Sequence, residues 1–136
     1  MKPLLLLDTH IWLWWLLGQP ELTQRERDAL DALAAAGTPP GLSAISLWDA
    51  QMLAANGRLT IDAPLTHWLA TAVSEESVTL LPMDVSVILS LDKLPTKFHG
   101  DPADRIIVAT ARAHGLPLAT RDANIRRSRA VKVWKG

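Results

Sequence analysis

Near its start the chain reads Leu4-Leu5-Leu6-Leu7-Asp8-Thr9, an unbroken apolar run that ends in a carboxylate and a hydroxyl. A short apolar run without polar alternation is typical of a parallel strand that is covered on both faces. Thr9 is expected to cap a helix over 10–17, which Gly18 and Pro20 end. The stretch therefore predicts a buried central strand that leads directly into a helix.

The rest of the chain alternates between strand-like and helix-like segments. We predict further strands at 42–43, 77–81, 116–120 and 131–134. Helices are predicted to open at 22–23 and to cover 45–55, 84–92 and, after a cap at Asp101, 102–114. A further helix, capped by Asp62, is predicted to contain Leu65, Trp68, Leu69 and Val73. Strands that alternate with helices form βαβ units. The chain is thus predicted to be an α/β protein, a three-layer α/β/α sandwich with a central parallel sheet, and a single domain over 1–136.

The composition excludes several classes of protein. The 136 residues include no cysteine, which rules out disulfide frameworks, thiolate nucleophiles and cysteine-ligated metals. The longest apolar stretch after the start, 11–17, is far shorter than the roughly 20 residues that cross a bilayer. We therefore expect a cytoplasmic protein with no membrane contact.

Three of the six tryptophans, Trp12, Trp14 and Trp15, fall in the first predicted helix. Neighbouring helical positions diverge by about 100°, so these indoles cannot all point into one core. At least one is expected at the surface or under another subunit, which would make 11–17 a dimer-forming face. Ordinary burial between sheet and helix is the alternative.

The balance of 14 basic and 14 acidic residues conceals an uneven distribution. The segment 1–68 carries four basic and seven acidic residues, whereas 69–136 carries ten and seven. Most of the positive excess lies in 121–136, where six basic residues accompany only Asp122. Such a segment attracts polyanions such as an RNA backbone, although a solvated carboxyl-terminal segment explains it equally well.

Four aspartates fall at positions that a parallel sheet brings together. Asp8 ends the first strand, and Asp122 follows the strand predicted just before it. Asp104 lies in the first turn of the helix that enters that strand, and Asp49 lies on the helix that follows the second strand. Ligands of open α/β sheets collect at the carboxyl ends of the strands, so we expect these side chains to converge there.

A cluster of carboxylates favours a bound cation, because the charges repel one another and burial strengthens the repulsion. All-oxygen ligation selects hard ions, which points to Mg²⁺ or Mn²⁺. Such an ion lowers the pKa of a bound water and neutralises charge during phosphodiester cleavage. Each acid also has a purely structural explanation, as a helix cap (Asp8, Asp101), a dipole partner (Asp104), a turn residue (Asp122) or a solvent-facing group (Asp49).

Five motifs occur in order along the chain. They are Leu4–Asp8 with Thr9 and His10, Ser43-Ala-Ile-Ser46-Leu-Trp-Asp49, Asn56-Gly57-Arg58-Leu59, His99-Gly-Asp101-Pro-Ala-Asp104-Arg105 and Leu118-Ala-Thr120-Arg-Asp122. Together they resemble the PIN domain, and specifically the VapC-type ribonuclease toxins of prokaryotic toxin–antitoxin pairs. The resemblance extends from residue 4 to about 133, and the ordered set carries it rather than any single motif.

The resemblance implies a three-layer α/β/α fold and an endoribonuclease that depends on Mg²⁺ or Mn²⁺. It also implies an RNA substrate, a homodimer and inhibition by a cognate antitoxin protein. Asp8, Asp104 and Asp122 match the first, third and fourth acids of the family and would be catalytic metal ligands. Asp101 matches an additional acid of one subgroup and would join the metal site.

Asp49 departs from the pattern, because the second acid of the family is usually glutamate. We retain Asp49 as a catalytic residue, since Ser43, Ser46 and Asp49 are three apart and share a helical face. Its side chain is one methylene shorter, so it would reach the metal through water or change the metal preference. Arg105 and Arg121, which adjoin site acids, are candidates to hold the scissile phosphate.

Two other function classes stay open. One is a catalytically weak nucleic-acid-binding or protein-interaction module on the same fold, which Asp49 and the tryptophan-rich segment 11–15 favour. The other is a phosphatase or phosphotransfer receiver on a similar sheet, although a haloacid-dehalogenase type would need a second aspartate where His10 stands. Ribonuclease activity is the leading hypothesis.

Overall fold

The computed structural model of the chain describes residues 2–98 and 100–136. Its elements are, in order, β1 (Leu6–Leu7), α1 (Thr9–Leu17), α2 (Gln24–Ala35), β2 (Gly41–Ser43), α3 (Ile45–Ala55), α4 (Leu65–Ala72), β3 (Thr79–Leu81), α5 (Val85–Asp92), α6 (Pro102–His114), β4 (Leu118–Ala119) and α7 (Ala123–Ser128). His99, the first residue of the fourth motif, lies outside the described residues.

The described strands form one parallel sheet in the order β3-β2-β1-β4. Leu6 of the central strand pairs with Gly41 on one side and with Leu118 on the other. The backbone N–H of Asp8 donates to the carbonyl oxygen of Ala119 at 2.9 Å, just beyond the end of β1. The carboxyl ends of β1 and β4 are thereby fixed side by side.

The two faces of the sheet bury separate apolar clusters, because successive strand residues point to opposite sides. Leu7 and Leu42 face a cluster to which α1, α2, α3 and α4 contribute, and Trp12 is its largest fully buried side chain. Leu6 and Leu118 face a second cluster, which contains buried residues of α6 and α7 and Leu91 of α5. Helices therefore cover both sides of a parallel sheet, and the predicted three-layer α/β/α fold is confirmed.

Several helix boundaries follow their predicted signals. The Thr23 hydroxyl accepts from the backbone N–H of Glu26, and the Glu26 carboxylate accepts from that of Thr23, so α2 begins with a capping box. Asp101 caps α6, Pro102 is its first residue, and Gly115 ends it with a φ of 63°. Glycine adopts this left-handed conformation without the penalty that a Cβ imposes.

Two predicted helix caps are wrong. Asp8, not Thr9, is the N-cap of α1, because the Asp8 carboxylate accepts from the backbone N–H of Thr9 and the helix begins one residue earlier than expected. Asp62 does not cap α4, which begins at Leu65 directly after Pro64. The pyrrolidine ring of Pro64, with a φ of −53°, already sets the backbone for a helix start.

The strand predictions near the two ends of the chain also need correction. Leu4 is 61% exposed, so the apolar run is covered on both faces only from Leu5 onward. The expected strand at 131–134 reduces to one isolated parallel bridge between Leu118 and Val133. The sequence does not predict the helix α7, because its six residues carry too little periodicity and both Asp122 before it and Asn124 within it are typical of turns.

The tryptophans of α1 divide as the helical geometry requires. Trp12 is 1% exposed within the first cluster, whereas Trp14 and Trp15 are half-buried against its edge.

Within 2–98 and 100–136, every helix is too short or too polar to span a bilayer.

Candidate functional site

A cavity of about 570 Å³ opens where β1 and β4 end. Its walls come from the first residues of α1, the middle of α3, the start of α6 and the segment between β4 and α7. Five aspartates line it: Asp8, Asp49, Asp101, Asp104 and Asp122. The structure thus brings all four aspartates of the expected cluster, and the additional Asp101, to one place.

Asp8 is the most deeply placed of these acids and is only 6% exposed. One carboxylate oxygen accepts from the backbone N–H of Thr9 at 2.9 Å, and the other accepts from the hydroxyl of Thr120 at 2.6 Å. The Thr120 hydroxyl in turn accepts from the backbone N–H of Asp122 at 3.0 Å. One threonine therefore sets the relative positions of two acids that come from different strand ends.

Asp49 is oriented by the other threonine of the site. The Thr9 hydroxyl donates to a carboxylate oxygen of Asp49 at 2.8 Å and lies 2.9 Å from the hydroxyl of Ser46, one turn earlier on α3. The backbone of Thr9 meanwhile holds Asp8, so Thr9 links the first and second acids. Ser46 is fully buried, which fixes α3 closely against the start of α1.

The remaining acids stand at the beginnings of two helices. Asp101 accepts from the backbone N–H of Asp104 at 3.0 Å, and Asp122 accepts from that of Ile125 at 2.8 Å. The positive ends of the helix dipoles are thus directed at the cavity, where they partly offset its negative charge. Asp101 and Asp122 therefore cap helices and also belong to the aspartate cluster, because each cap uses only one of the two carboxylate oxygens.

Burial makes the ionised form of two of the acids, Asp8 and Asp49, less favourable. Burial raises the pKa of the Asp8 carboxyl above its ordinary value, the bonds from Thr120 and Thr9 oppose this, and the charge of Asp122 adds to it. Burial also raises the pKa of the Asp49 carboxyl, against the bond from Thr9 and together with the charge of Asp101. A cation in the cavity would favour the ionised form of both groups.

The donor set fits a hard divalent ion, since the acids that line the cavity offer oxygen and two of them have raised pKa values. In the described part of the chain, however, no three Asp, Glu or His side chains already stand in an arrangement that holds a metal ion. The chemistry of the residues therefore suits Mg²⁺ or Mn²⁺, and their side chains would have to draw closer around it.

The two arginines proposed for phosphate binding lie in different surroundings. Arg121 lines the cavity, and its guanidinium donates to the Glu26 carboxylate of α2 at 2.7 Å. Arg105 is not among the lining residues, and its guanidinium donates to the carbonyl oxygen of Phe98 at 3.4 Å. The role of either arginine in binding phosphate stays a prediction.

Sequence reasoning missed the hydroxyl groups that orient the acids. The sequence patterns indicate Thr9 as a helix cap and motif residue and Thr120 as a motif residue, yet both hydroxyls donate to site carboxylates. The available signal was their position, immediately after Asp8 and two residues before Asp122. It also missed Trp14 and Arg58, which line the cavity beside His10.

The fold and the cavity together define a three-layer α/β/α protein that gathers aspartates at the carboxyl ends of its parallel strands. The chain belongs to the PIN-domain family, whose sequence pattern it matches over residues 5–130. It is similar to Ribonuclease VapC22 of Mycobacterium tuberculosis, with 36% identity over 135 residues that cover 95% of this chain and 97% of that protein.

Solved structures show the same fold. VapBC2 from Rickettsia felis, bound to a DNA fragment from its promoter, has a TM-score of 0.71 at 16% identity and covers 95% of this chain and 96% of that one. DNA-bound VapBC from Salmonella typhimurium has a TM-score of 0.74 at 14% identity and covers 98% of each chain. FitAB bound to the IR36 DNA fragment has a TM-score of 0.65 at 26% identity and covers 96% of this chain and 93% of that one.

Proposed function

We propose that this protein is an endoribonuclease that hydrolyses RNA phosphodiester bonds with a carboxylate-bound Mg²⁺ or Mn²⁺, and that it acts as the toxin of a toxin–antitoxin pair. The observation that carries the proposal is the convergence of five aspartates on one cavity of a PIN-domain chain. The identity of 36% with a protein named as a ribonuclease supports RNA as the substrate.

Asp8, Asp101, Asp104 and Asp122 would hold the ion, and Asp49 would act beside them as a further catalytic acid. When bound, a divalent ion supplies a water of lowered pKa and neutralises charge on the phosphodiester in the transition state. Thr9 and Thr120 keep Asp49 and Asp8 in fixed orientations through their hydroxyl donors. The buried position of Asp8 places its charge where water screens it least.

Arg121 would contact the RNA phosphate at the rim of the cavity, with Arg105 as a weaker candidate. A guanidinium offers several donors in a fixed plane, so Arg121 can keep its bond to Glu26 and still present a donor to phosphate oxygen. Positive charge at the rim also offsets the repulsion between the RNA backbone and the aspartates.

Incubation of the purified protein with structured RNAs and Mg²⁺, with and without EDTA, tests the proposal. Asp8→Asn and Asp104→Asn should abolish cleavage, whereas Asp62→Asn, at an exposed aspartate outside the cavity, should not. Metal-independent cutting, or full activity of Asp8→Asn, would refute the mechanism. Calorimetric titration with Mn²⁺ gives a second readout that does not depend on turnover.

A catalytically weak nucleic-acid-binding or protein-interaction module on the same fold is the alternative. One observation favours it, namely that no three acidic or histidine side chains within the described ranges are arranged to hold a metal ion. The Mn²⁺ titration discriminates between the two functions, because a module without catalysis need not bind the ion at all. Absence of binding together with absence of cleavage supports the alternative.

We further propose a cognate antitoxin and a second copy of this chain as protein partners, in the cytoplasm where the RNA substrate lies. Supporting the antitoxin, the fold neighbours include VapBC complexes. The helix α5 exposes Val85, Ile88 and Leu89 by 74%, 47% and 59%, which favours a protein contact. Co-purification with the product of a neighbouring short reading frame, and light scattering of the free chain, test these partners separately.

A further inference from the structure

We propose that a nucleotide-binding subsite adjoins the acidic cavity, in which Trp14 stacks on one nucleobase of single-stranded RNA and Arg58 contacts the phosphate of that nucleotide. The proposal rests on the proposed ribonuclease function and names the residues that hold the RNA next to the cleaved bond. It concerns the surface formed by α1 and the turn after α3, which the acids of the site leave unused.

A second cavity of about 460 Å³ lies directly beside the acidic one. Four residues line both cavities: His10, Trp14, Leu53 and Arg58. Because they share these four residues, the two cavities adjoin each other along one surface of the protein. A strand of RNA whose scissile phosphate lies over the aspartates would therefore place a neighbouring nucleotide in the second cavity.

Trp14 differs from the other two tryptophans of α1 in its hydrogen bonding. The indole N–H of Trp15 donates to the Asp31 carboxylate at 2.8 Å, and that of Trp12 donates to the carbonyl oxygen of Ala72 at 3.4 Å. The indole N–H of Trp14 has no such acceptor in the described part of the chain. The ring is half-buried, and His10 packs against it at a centroid distance of 6.1 Å with the planes tilted by 53°.

This arrangement suits a nucleobase. The apolar body of Trp14 is held in place, and its exposed part borders both cavities. Indole rings are strong stacking surfaces for unpaired bases, and such stacking tolerates any base because each has a π-face. A base within a duplex already stacks on its neighbours, so the subsite selects single strands or loops.

Arg58 supplies the positive charge at the junction of the two cavities. It follows Gly57, whose φ of 73° forms the turn that ends α3, and its backbone N–H donates to the carbonyl oxygen of Leu53 at 2.8 Å. The backbone is thus fixed, while the exposed guanidinium has no partner among residues 2–98 and 100–136. By contrast, Glu26 holds Arg121, the other arginine that lines the acidic cavity.

Binding of a fluorescein-labelled, random-sequence single-stranded RNA to the full chain tests the subsite, with fluorescence anisotropy as the readout. Asp8→Asn serves as the parent in the presence of Mg²⁺, so that the RNA stays intact. Trp14→Ala should weaken binding about ten-fold, whereas Trp14→Phe should retain most of the affinity. Arg58→Gln should reduce the slope of log Kd against log salt by about 0.7, as expected for one lost phosphate contact on a single strand.

Trp15→Ala is the matched control for Trp14→Ala, because it removes an indole from the same helix at a position that lines neither cavity. It should leave the affinity unchanged, and thermal unfolding of every variant verifies that the chain is folded. The subsite is overturned if Trp14→Ala binds as tightly as the parent, or if it changes only the oligomeric state in light scattering. If instead the proposed ribonuclease function is wrong, the unmodified chain cleaves no RNA at all, and this result distinguishes failure of the function from failure of the subsite.

Discussion

Glu26→Gln should destabilise the protein at neutral pH by releasing Arg121 from its position at the rim of the acidic cavity. The Glu26 carboxylate accepts from the Arg121 guanidinium at 2.7 Å and from the backbone N–H of Thr23 at 3.0 Å. Glutamine retains an oxygen for the Thr23 bond and almost the same volume. The substitution therefore removes the charge of the pair while it leaves the helix cap largely in place.

The magnitude follows from the pKa of Glu26. The hydrogen bond from Arg121 is the main reason that this pKa falls from its ordinary 4.5 to about 2. At 1.36 kcal/mol per pKa unit, the difference corresponds to about 3 kcal/mol before any reduction for solvent screening. The two side chains are 35% and 15% exposed, and water screens such pairs, so we expect a loss of about 1 kcal/mol at low salt.

The sign of the pH dependence is fixed by the same values. In the unfolded chain Glu26 takes up a proton near pH 4.5, whereas in the folded chain it stays ionised down to about pH 2. Its contribution to stability is therefore fully present above pH 4.5 and is lost as the pH falls towards 2. The difference between wild type and Glu26→Gln should shrink over this window.

Urea unfolding followed by circular dichroism, from neutral pH down to about pH 3, measures this difference. Glu76→Gln is the control, because Glu76 is exposed and makes no ion pair within the described residues, and it should change the unfolding free energy very little. High salt should reduce the effect of Glu26→Gln. A loss that is independent of both pH and salt would mean that packing, not the ion pair, holds Arg121.

Further predictions concern buried residues of the site and of the first apolar cluster. Asp8→Asn should raise the melting temperature at neutral pH in EDTA, because burial raises the pKa of Asp8 and the ionised group therefore destabilises the folded chain. This gain should disappear as the pH falls below 3.8, the ordinary pKa of an aspartate, since the carboxyl is then protonated in the folded and the unfolded chain. Thr9→Val should lower the unfolding free energy by about 1–3 kcal/mol and reduce RNA cleavage, because Asp49 loses a buried donor, whereas Thr9→Ser should retain both. Trp12→Ala should lower the free energy of unfolding in urea by about 3–5 kcal/mol. A smaller loss would mean that the first cluster repacks around the missing indole.

The sequence predicted those parts of the fold whose signals are local. The apolar run that ends at Asp8 indicates a central strand, and Asp101 with Gly115 correctly marks both ends of α6. The convergence of the aspartates followed from one topological rule about parallel sheets. Each of these inferences needs only the residue types along a short segment and the general geometry of strands and helices.

The parts that could not be predicted depend on contacts between distant segments. Thr120 and Asp8 are 112 residues apart, and their hydrogen bond exists only because β4 pairs with β1 in one particular register. The short helix α7 has too few residues for a periodic pattern, and Asp122 fits a turn as well as a cap. The groove beside Trp14 depends on the packing of α1 against the turn after α3.

Asp101 and Asp122 cap helices and are also proposed to bind the metal ion, and this double use affects how the site can be tested by mutation. Asp101 and Asp122 each use one carboxylate oxygen to accept from a backbone N–H, so replacement by alanine would fray a helix start and remove a charge at once. Asparagine caps helices about as well as aspartate. A loss of RNA cleavage in Asp101→Asn or Asp122→Asn, with unchanged thermal unfolding, would therefore report the missing charge alone. Because the cap uses one oxygen that asparagine retains, this isosteric change separates the cap from the proposed metal binding.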